Sequence, residues 1–204
     1  MLVARMTAKV FMGKPVCRDP EWLKISIDFS IDMFKTAFGL KMFPPWFYFI
    51  AIHLLPARRR SKRQLQKAQA FVETAMRKHE KARAEGEEEE DTLLNWQIDH
   101  AQPSEKEIPE MAARQCILTL ASIHTTAMTV GNIIYDLCAH PEWIPVMVEE
   151  VEDIYSKLGG PSVKWGEQTE SGITSKEWCA GLEKVDSLFV ESQRHNPVIL
   201  RELP

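Results

Sequence analysis

The chain has 204 residues, with 25 Lys and Arg against 29 Asp and Glu, a formal charge of −4. That length suits one domain, or at most two small ones of roughly 100–200 residues each. A composition of 45% hydrophobic and 26% charged residues excludes a disordered chain, and the mild acidity excludes a general nucleic-acid binder. Six Trp and nine Phe against nine Gly point to packed helices rather than turn-rich β structure.

Leu2, Val3, Met6 and Val10 fall near helical spacing and predict a first helix, followed by a turn over 13–18. Asp19-Pro20-Glu21 reads as a helix start: Asp caps, Pro suits the first helical position, and Glu suits the positive end of the dipole. This helix is expected to reach about Leu40, before Pro44-Pro45 breaks it. Residues 43–55 form the longest apolar stretch, too short to span a bilayer and interrupted by Pro44, Pro45 and His53. Two readings stand for it: a buried or partly buried connection between helices, or an aromatic loop of Trp46, Phe47, Tyr48 and Phe49 touching a membrane surface. Arg58, Arg59, Arg60, Lys62 and Arg63 follow at once.

Pro56 to Ala84 is rich in good helix formers, with a narrow apolar stripe of Leu65, Ala68, Val72, Ala75 and Met76. It predicts a long surface helix whose basic start is a solvated face rather than a polyanion site. Glu85 to Asp91 reads as a solvated acidic loop around Gly86. Asp91-Thr92 opens a shorter helix with Leu93, Leu94, Trp96 and Ile98, ending over 101–104. Ser104 and Glu107 have capping-box spacing, and Pro109 falls in or just before the first turns of the next helix. That helix, Met111 to Ala139, would extend about 43 Å at 1.5 Å per residue. His140-Pro141-Glu142 restarts a helix that Gly159-Gly160-Pro161 stops; residues 164–174 read as a loop. A last helix runs from Lys176 or Trp178 to His195, ended by Asn196-Pro197. The chain is therefore read as all-α.

The N-terminus is not a signal peptide, and no segment is read as transmembrane. Cys17, Cys116, Cys138 and Cys179 are scattered without paired zinc spacing and too sparse for a disulfide scaffold, so they read as reduced buried thiols.

The central helix is apolar around most of its circumference and is expected to be buried. Yet Ser122, Thr125, Thr129, Asn132 and Asp136, spaced 3, 4, 3 and 4, line one face, flanked by His124 and Thr126. One account returns the hydroxyls to i−4 carbonyls and leaves His124 as an interior histidine. The other makes the face a polar groove in a cavity wall, where hydroxyls pass protons or bind an oxygen species. In the last helix Glu191 and Arg194 share a face at i, i+3, and the neighbouring Leu182, Val185, Leu188 and Phe189 predict burial there too.

Taken in order, these features resemble one family, the haem-thiolate monooxygenases of cytochrome P-450 type. Ala121-Ser122-Ile123-His124-Thr125-Thr126 is similar to its oxygen-groove motif, Ala/Gly-Gly-x-Asp/Glu-Thr-Thr. His140-Pro141-Glu142 matches the next helix start, and Glu191-x-x-Arg194 the later E-x-x-R. Pro44-Pro45-Trp46 between two long helices is similar to fungal members that oxidise terpenoids or alkaloids. The resemblance implies a haem cofactor, with Ala121, Ser122 and Thr125 beside it. It makes Thr125 and His124 the catalytic proton-delivering residues, and Glu191 and Arg194 a structural ion pair. It implies an apolar small-molecule substrate, O2, an NADPH-dependent reductase as electron donor, possible membrane contact and no nucleic acid. The implied place is the cytosolic face of the endoplasmic reticulum membrane. Ser122 departs from the usual glycine and His124 from the usual acid; an imidazole still relays protons near neutral pH.

The family's axial cysteine lies in F-x-x-G-x-x-x-C-x-G downstream of E-x-x-R, and no such segment precedes Pro204. Gly13 to Cys17 imitates its spacing, but Asp19 stands where Gly is needed, and Cys17 is rejected. The other three cysteines lack the glycines that open a loop around a thiolate. No metal ligand is assigned. Residues 1–204 are thus expected to be a single partial domain, without the anchor and the haem-cysteine loop, and inactive alone. The rival reading is a non-catalytic helical interaction protein or an inactive pseudogene product.

Overall fold

The computed structural model describes residues 1–87, 90–160 and 175–197, and all regular structure among them is helical. The contacts divide the chain into two compact units, Met1–His124 and Thr125–Pro204.

In the first unit, α1 (Leu2–Met12) leads through a short 3-10 turn into α2 (Pro20–Lys41). Asp19 caps α2 as expected, its carboxylate accepting from the Glu21 and Trp22 amides at 2.7 and 3.2 Å. A 3-10 turn at Pro45–Phe47 and α3 (Tyr48–Leu54) connect to α4 (Pro56–Glu85). The expected stripe on α4 is the buried one: Ala68, Val72 and Met76 enter the core, with Leu65 and Ala75 packed at its edge. They meet Trp22, Leu23, Ile25 and Phe29 of α2, and Trp22 packs at 58° to Phe71 with 5.6 Å between ring centres. Pairings of Glu21 with Lys67 and of Asp32 with Arg60 make α2 and α4 antiparallel. The buried Asp32 carboxylate receives Arg60 Nε and Nη2 at 2.8–3.1 Å and Gln64 Nε2 at 3.3 Å.

Gly86 ends α4 in the left-handed region at φ 69°. The acidic loop after it is more than solvated: Glu90 pairs with Lys9 of α1 and accepts the Lys14 amide at 2.7 Å. Gly13, at φ 70°, makes this closure possible, because a Cβ there would sit 2.6 Å from Glu90 Oε2. α5 (Leu93–His100) is capped by Thr92, whose hydroxyl accepts from the Asn95 amide at 3.2 Å. The capping box falls two residues earlier than expected. Pro103 takes the first helical position, so Gln102 donates its amide to Glu105 at 3.2 Å around a 3-10 turn.

α6 (Ile108–Ala139) starts three residues before its expected beginning, with Pro109 in its first turn. Its burial departs from expectation. Met111, Ala112, Gln115, Cys116, Thr119 and Ile123 are buried, but beyond them only Ile133 is, while Ile117, Met128, Val130, Ile134 and Tyr135 are exposed. The apolar circumference gave no sign of where packing partners cease. α6 is also long and apolar enough to cross a membrane by length and composition, unlike the shorter apolar stretch over 43–55.

In the second unit, α7 (Trp143–Leu158) ends at Gly159, φ 73°. The expected final helix is two helices, α8 (Ser175–Ala180) and α9 (Glu183–His195). Gly181 lies against Ile154 of α7, and Glu150 of α7 accepts the Lys184 and Val185 amides at 2.7 and 3.0 Å. A carboxylate from another helix thus caps α9 and fixes the break. Nor is α9 largely buried: Leu182, Val185 and Leu188 are half-buried, Phe189 and Val190 exposed, and Ser192 alone is buried among its residues. The expected loop at 164–174 lies outside the described residues.

Leu94, 1% exposed, sits where α5 meets the core. Leu94→Ala is expected to lower unfolding stability by about 2–5 kcal/mol, read as a reduced midpoint in urea.

Candidate functional site

The six residues of the groove motif occupy about one and a half turns of α6. Ala121 is exposed, Ser122, His124 and Thr125 are half-buried, and Thr126 is exposed. Ser122 Oγ lies 3.3 Å from Thr7 Oγ1 of α1, a hydroxyl pair that holds its rotamer. His124 stands edge to face with Phe34 of α2, ring centres 5.3 Å apart at 87°. Its Nε2 atom is buried and has no hydrogen-bond partner among the described residues.

The lower part of the polar face does other work. Asp136 receives Ser192 Oγ at 2.5 Å and Asn196 Nδ2 at 3.3 Å, and Asn132 Nδ2 donates to the Asn196 carbonyl at 3.2 Å. These bonds hold the end of α9 to α6. The face that looked continuous in sequence therefore divides into a motif portion and a structural portion.

Glu191 and Arg194 meet as the spacing implied, in a two-pronged pair at 2.8 and 2.6 Å. His195 Nε2 lies 3.0 Å from Glu191 Oε1. Contrary to the expected burial, both partners are more than half exposed. The Arg194 hydrogen bonds, with His195 beside them, hold the Glu191 carboxyl at about 2.

The cysteines divide as well. Cys17 and Cys116 are buried, but Cys138 and Cys179 are exposed, contrary to the uniform burial expected. Burial pushes the Cys116 thiol up to about 12, which keeps it neutral. Among the described residues no group of three or more His, Cys, Asp or Glu is placed to hold a metal.

A second surface lies at the far end of the α2–α4 pair. Trp46 is 80% and Phe49 82% exposed, with Met42, Ile50 and Leu54 also exposed and only Ala51 of α3 buried. The stretch is thus a partly buried connection, with Ala51 enclosed and Phe43, Phe47, Ile52 and Leu55 half-buried, that also carries an exposed aromatic face. Arg58 Nη1 lies 2.7 Å from His53 Nδ1, joining the basic start of α4 to this apolar cap.

Sequence reasoning missed Phe34, Thr7, Ser192 and Glu150. Each acts on a partner at least 34 residues away, and no local pattern announces such a contact.

The family model described as Cytochrome P450 matches residues 2–165. Among curated relatives, the cytochrome P450 monooxygenase ATR4 of Stachybotrys chlorohalonatus is 36% identical over 202 residues, 99% of this chain and 37% of its own length. The cytochrome P450 monooxygenase AN1598 of Emericella nidulans is 36% identical over 199 residues, 96% of this chain and 35% of that protein. The ent-kaurene oxidase of Gibberella intermedia is 36% identical over 199 residues, 98% of this chain and 34% of its own. The chain thus spans little more than a third of the length of the curated relatives it matches.

The exposed ion pair has a pH signature. Glu191 titrates near 2, below its ordinary 4.5, so the pair's contribution is fully present above about 4.5 and is lost as pH falls through about 2. Arg194→Gln is expected to bring the Glu191 midpoint back toward its ordinary value, read by carboxyl NMR.

Proposed function

The chain belongs to the cytochrome P450 family, and from that premise we propose that it forms the oxygen-groove portion of a haem-dependent monooxygenase. The proposed reaction inserts one atom of O2 into an apolar small molecule, in fungal secondary metabolism. The observation that carries this reading is the placement of Ala121, Ser122, His124 and Thr125 on adjacent turns of α6, in a chain matching fungal monooxygenases along nearly its whole length. The name of one relative, ent-kaurene oxidase, supports an apolar, terpenoid-like substrate.

Ala121, small and exposed, fits contact with a flat macrocycle, while the half-buried Ser122 is turned to Thr7 of α1. The neutral, buried Cys116 does not fit an axial thiolate, and none of the four cysteines is assigned to iron. The chemistry supplied by bound haem is activation of dioxygen with electrons from an NADPH-dependent reductase. This chain's residues do the positioning. Ala121 and Ser122 keep the helix surface low. The Thr125 hydroxyl delivers a proton at its oxygen, and the His124 imidazole replenishes it in place of a carboxylic acid. Glu191 and Arg194 hold the end of α9 without touching substrate. In isolation, without a thiolate ligand, the 204-residue chain is inactive.

The exposed aromatic cap with its adjoining arginines supports contact with the cytosolic face of the endoplasmic reticulum membrane, near the substrate entrance.

Two measurements test this. In the full-length haem-loaded enzyme, Thr125→Ala is expected to lower product formed per O2 consumed by on the order of 10²-fold, the low end for a positioned proton donor. Unchanged coupling, or a full-length protein without a thiolate-type carbon monoxide spectrum, would favour the interaction-protein reading. Replacing both Trp46 and Phe49 with Ala should weaken sedimentation with phosphatidylcholine–phosphatidylserine vesicles by roughly tenfold or more; equal binding refutes the membrane role of the cap.

A further inference from the structure

We infer that Phe34 is a positioning residue for His124, holding the imidazole and keeping bulk water from Nε2. The inference rests on the proton-relay reading of His124. Three observations carry it. The Phe34 and His124 rings are nearly perpendicular at contact distance, 5.3 Å between centres. The Nε2 atom is shut off from solvent, yet no described residue hydrogen-bonds it. Phe34 itself is 45% exposed, so its outer face borders open space along α2 beside the exposed Ile31 and Phe38.

A buried nitrogen without a partner is a cost that folding normally removes. Here it is retained on an imidazole that meets the half-exposed Phe34 ring edge to face. The arrangement suits a nitrogen that takes a transient partner, a delivered water or a substrate oxygen, and is closed to general solvent. Water exclusion matters to a relay because stray protons at the wrong moment release reduced oxygen as peroxide instead of product. The clamp at Asp32 lies half a turn before Phe34 on the same helix and holds α2 to α4 on the other side.

Diethyl pyrocarbonate, which acylates accessible neutral imidazoles, reads this shielding directly. In the purified protein, peptide mass spectrometry is expected to show His124 reacting at least about tenfold more slowly than the exposed His100. Phe34→Ala should remove that protection, and Phe34→Trp, which keeps a ring, should retain it. The buried His79 is the internal control for folding. If His79 opens in Phe34→Ala, the same comparison is read in Phe34→Leu, which keeps most of the volume without the ring. Fast labelling of His124 in the parent, or unchanged labelling in the variant with His79 still protected, overturns the inference. In the haem-loaded full-length enzyme, both Phe34→Ala and His124→Ala should raise peroxide released per product several-fold. Unchanged coupling in His124→Ala overturns the relay reading itself. Raised peroxide in His124→Ala with unchanged labelling in Phe34→Ala overturns the role of Phe34 alone.

Discussion

The buried carboxylate of Asp32 sets the geometry on which the first unit depends. An ionised group in an apolar interface must be met by a cation and hydrogen-bond donors, or the fold bears the full loss of its hydration. Arg60 and Gln64 meet it with a fork and an amide. Only one register of α2 against α4 allows this. In that register Trp22 reaches Phe71, Glu21 reaches Lys67, and the Gly39 backbone comes against Leu55. A slip of one residue would turn each side chain by about 100° around its helix. The same register sends the aromatic cap to one end of the pair.

Much of the fold was legible because its signals are local. Asp19 and Thr92 declare helix starts through side chains that reach amides two or three residues away. The stripe on α4 declares its inner face because a 3.6-residue period needs no knowledge of the partner. What was not legible depends on distant residues. Glu150 caps α9 from α7, so the break at Gly181 leaves only a lone glycine in the sequence. Glu90 looked like part of a solvated run until Lys9 and the Lys14 amide were brought to it. The burial of α6 and α9 was overestimated for the same reason: apolarity shows what a surface prefers, not what covers it.

The groove motif shows both sides of this limit. The grouping of Ala121, Ser122 and Thr125 follows from helical geometry alone. The environment of His124 does not, because Phe34 comes from α2. The evenly spaced face from Ser122 to Asp136 looked like one functional surface. Its lower half is fastened to Ser192 and Asn196 and serves cohesion. Regular spacing identifies a face, and only the partners say what each part of it does.

The burial gradient along α6 has an evolutionary consequence. The helix is anchored by Met111, Ala112, Gln115 and Cys116, all enclosed in the first core. Ile117, Ala121 and Met128 look outward from the same rod. Substitutions at these outward positions change what the helix presents without opening a cavity in the part that secures it. Anchorage and freedom to vary are thus assigned to different faces of a single element. A lineage can alter those exposed positions without approaching the threshold of unfolding.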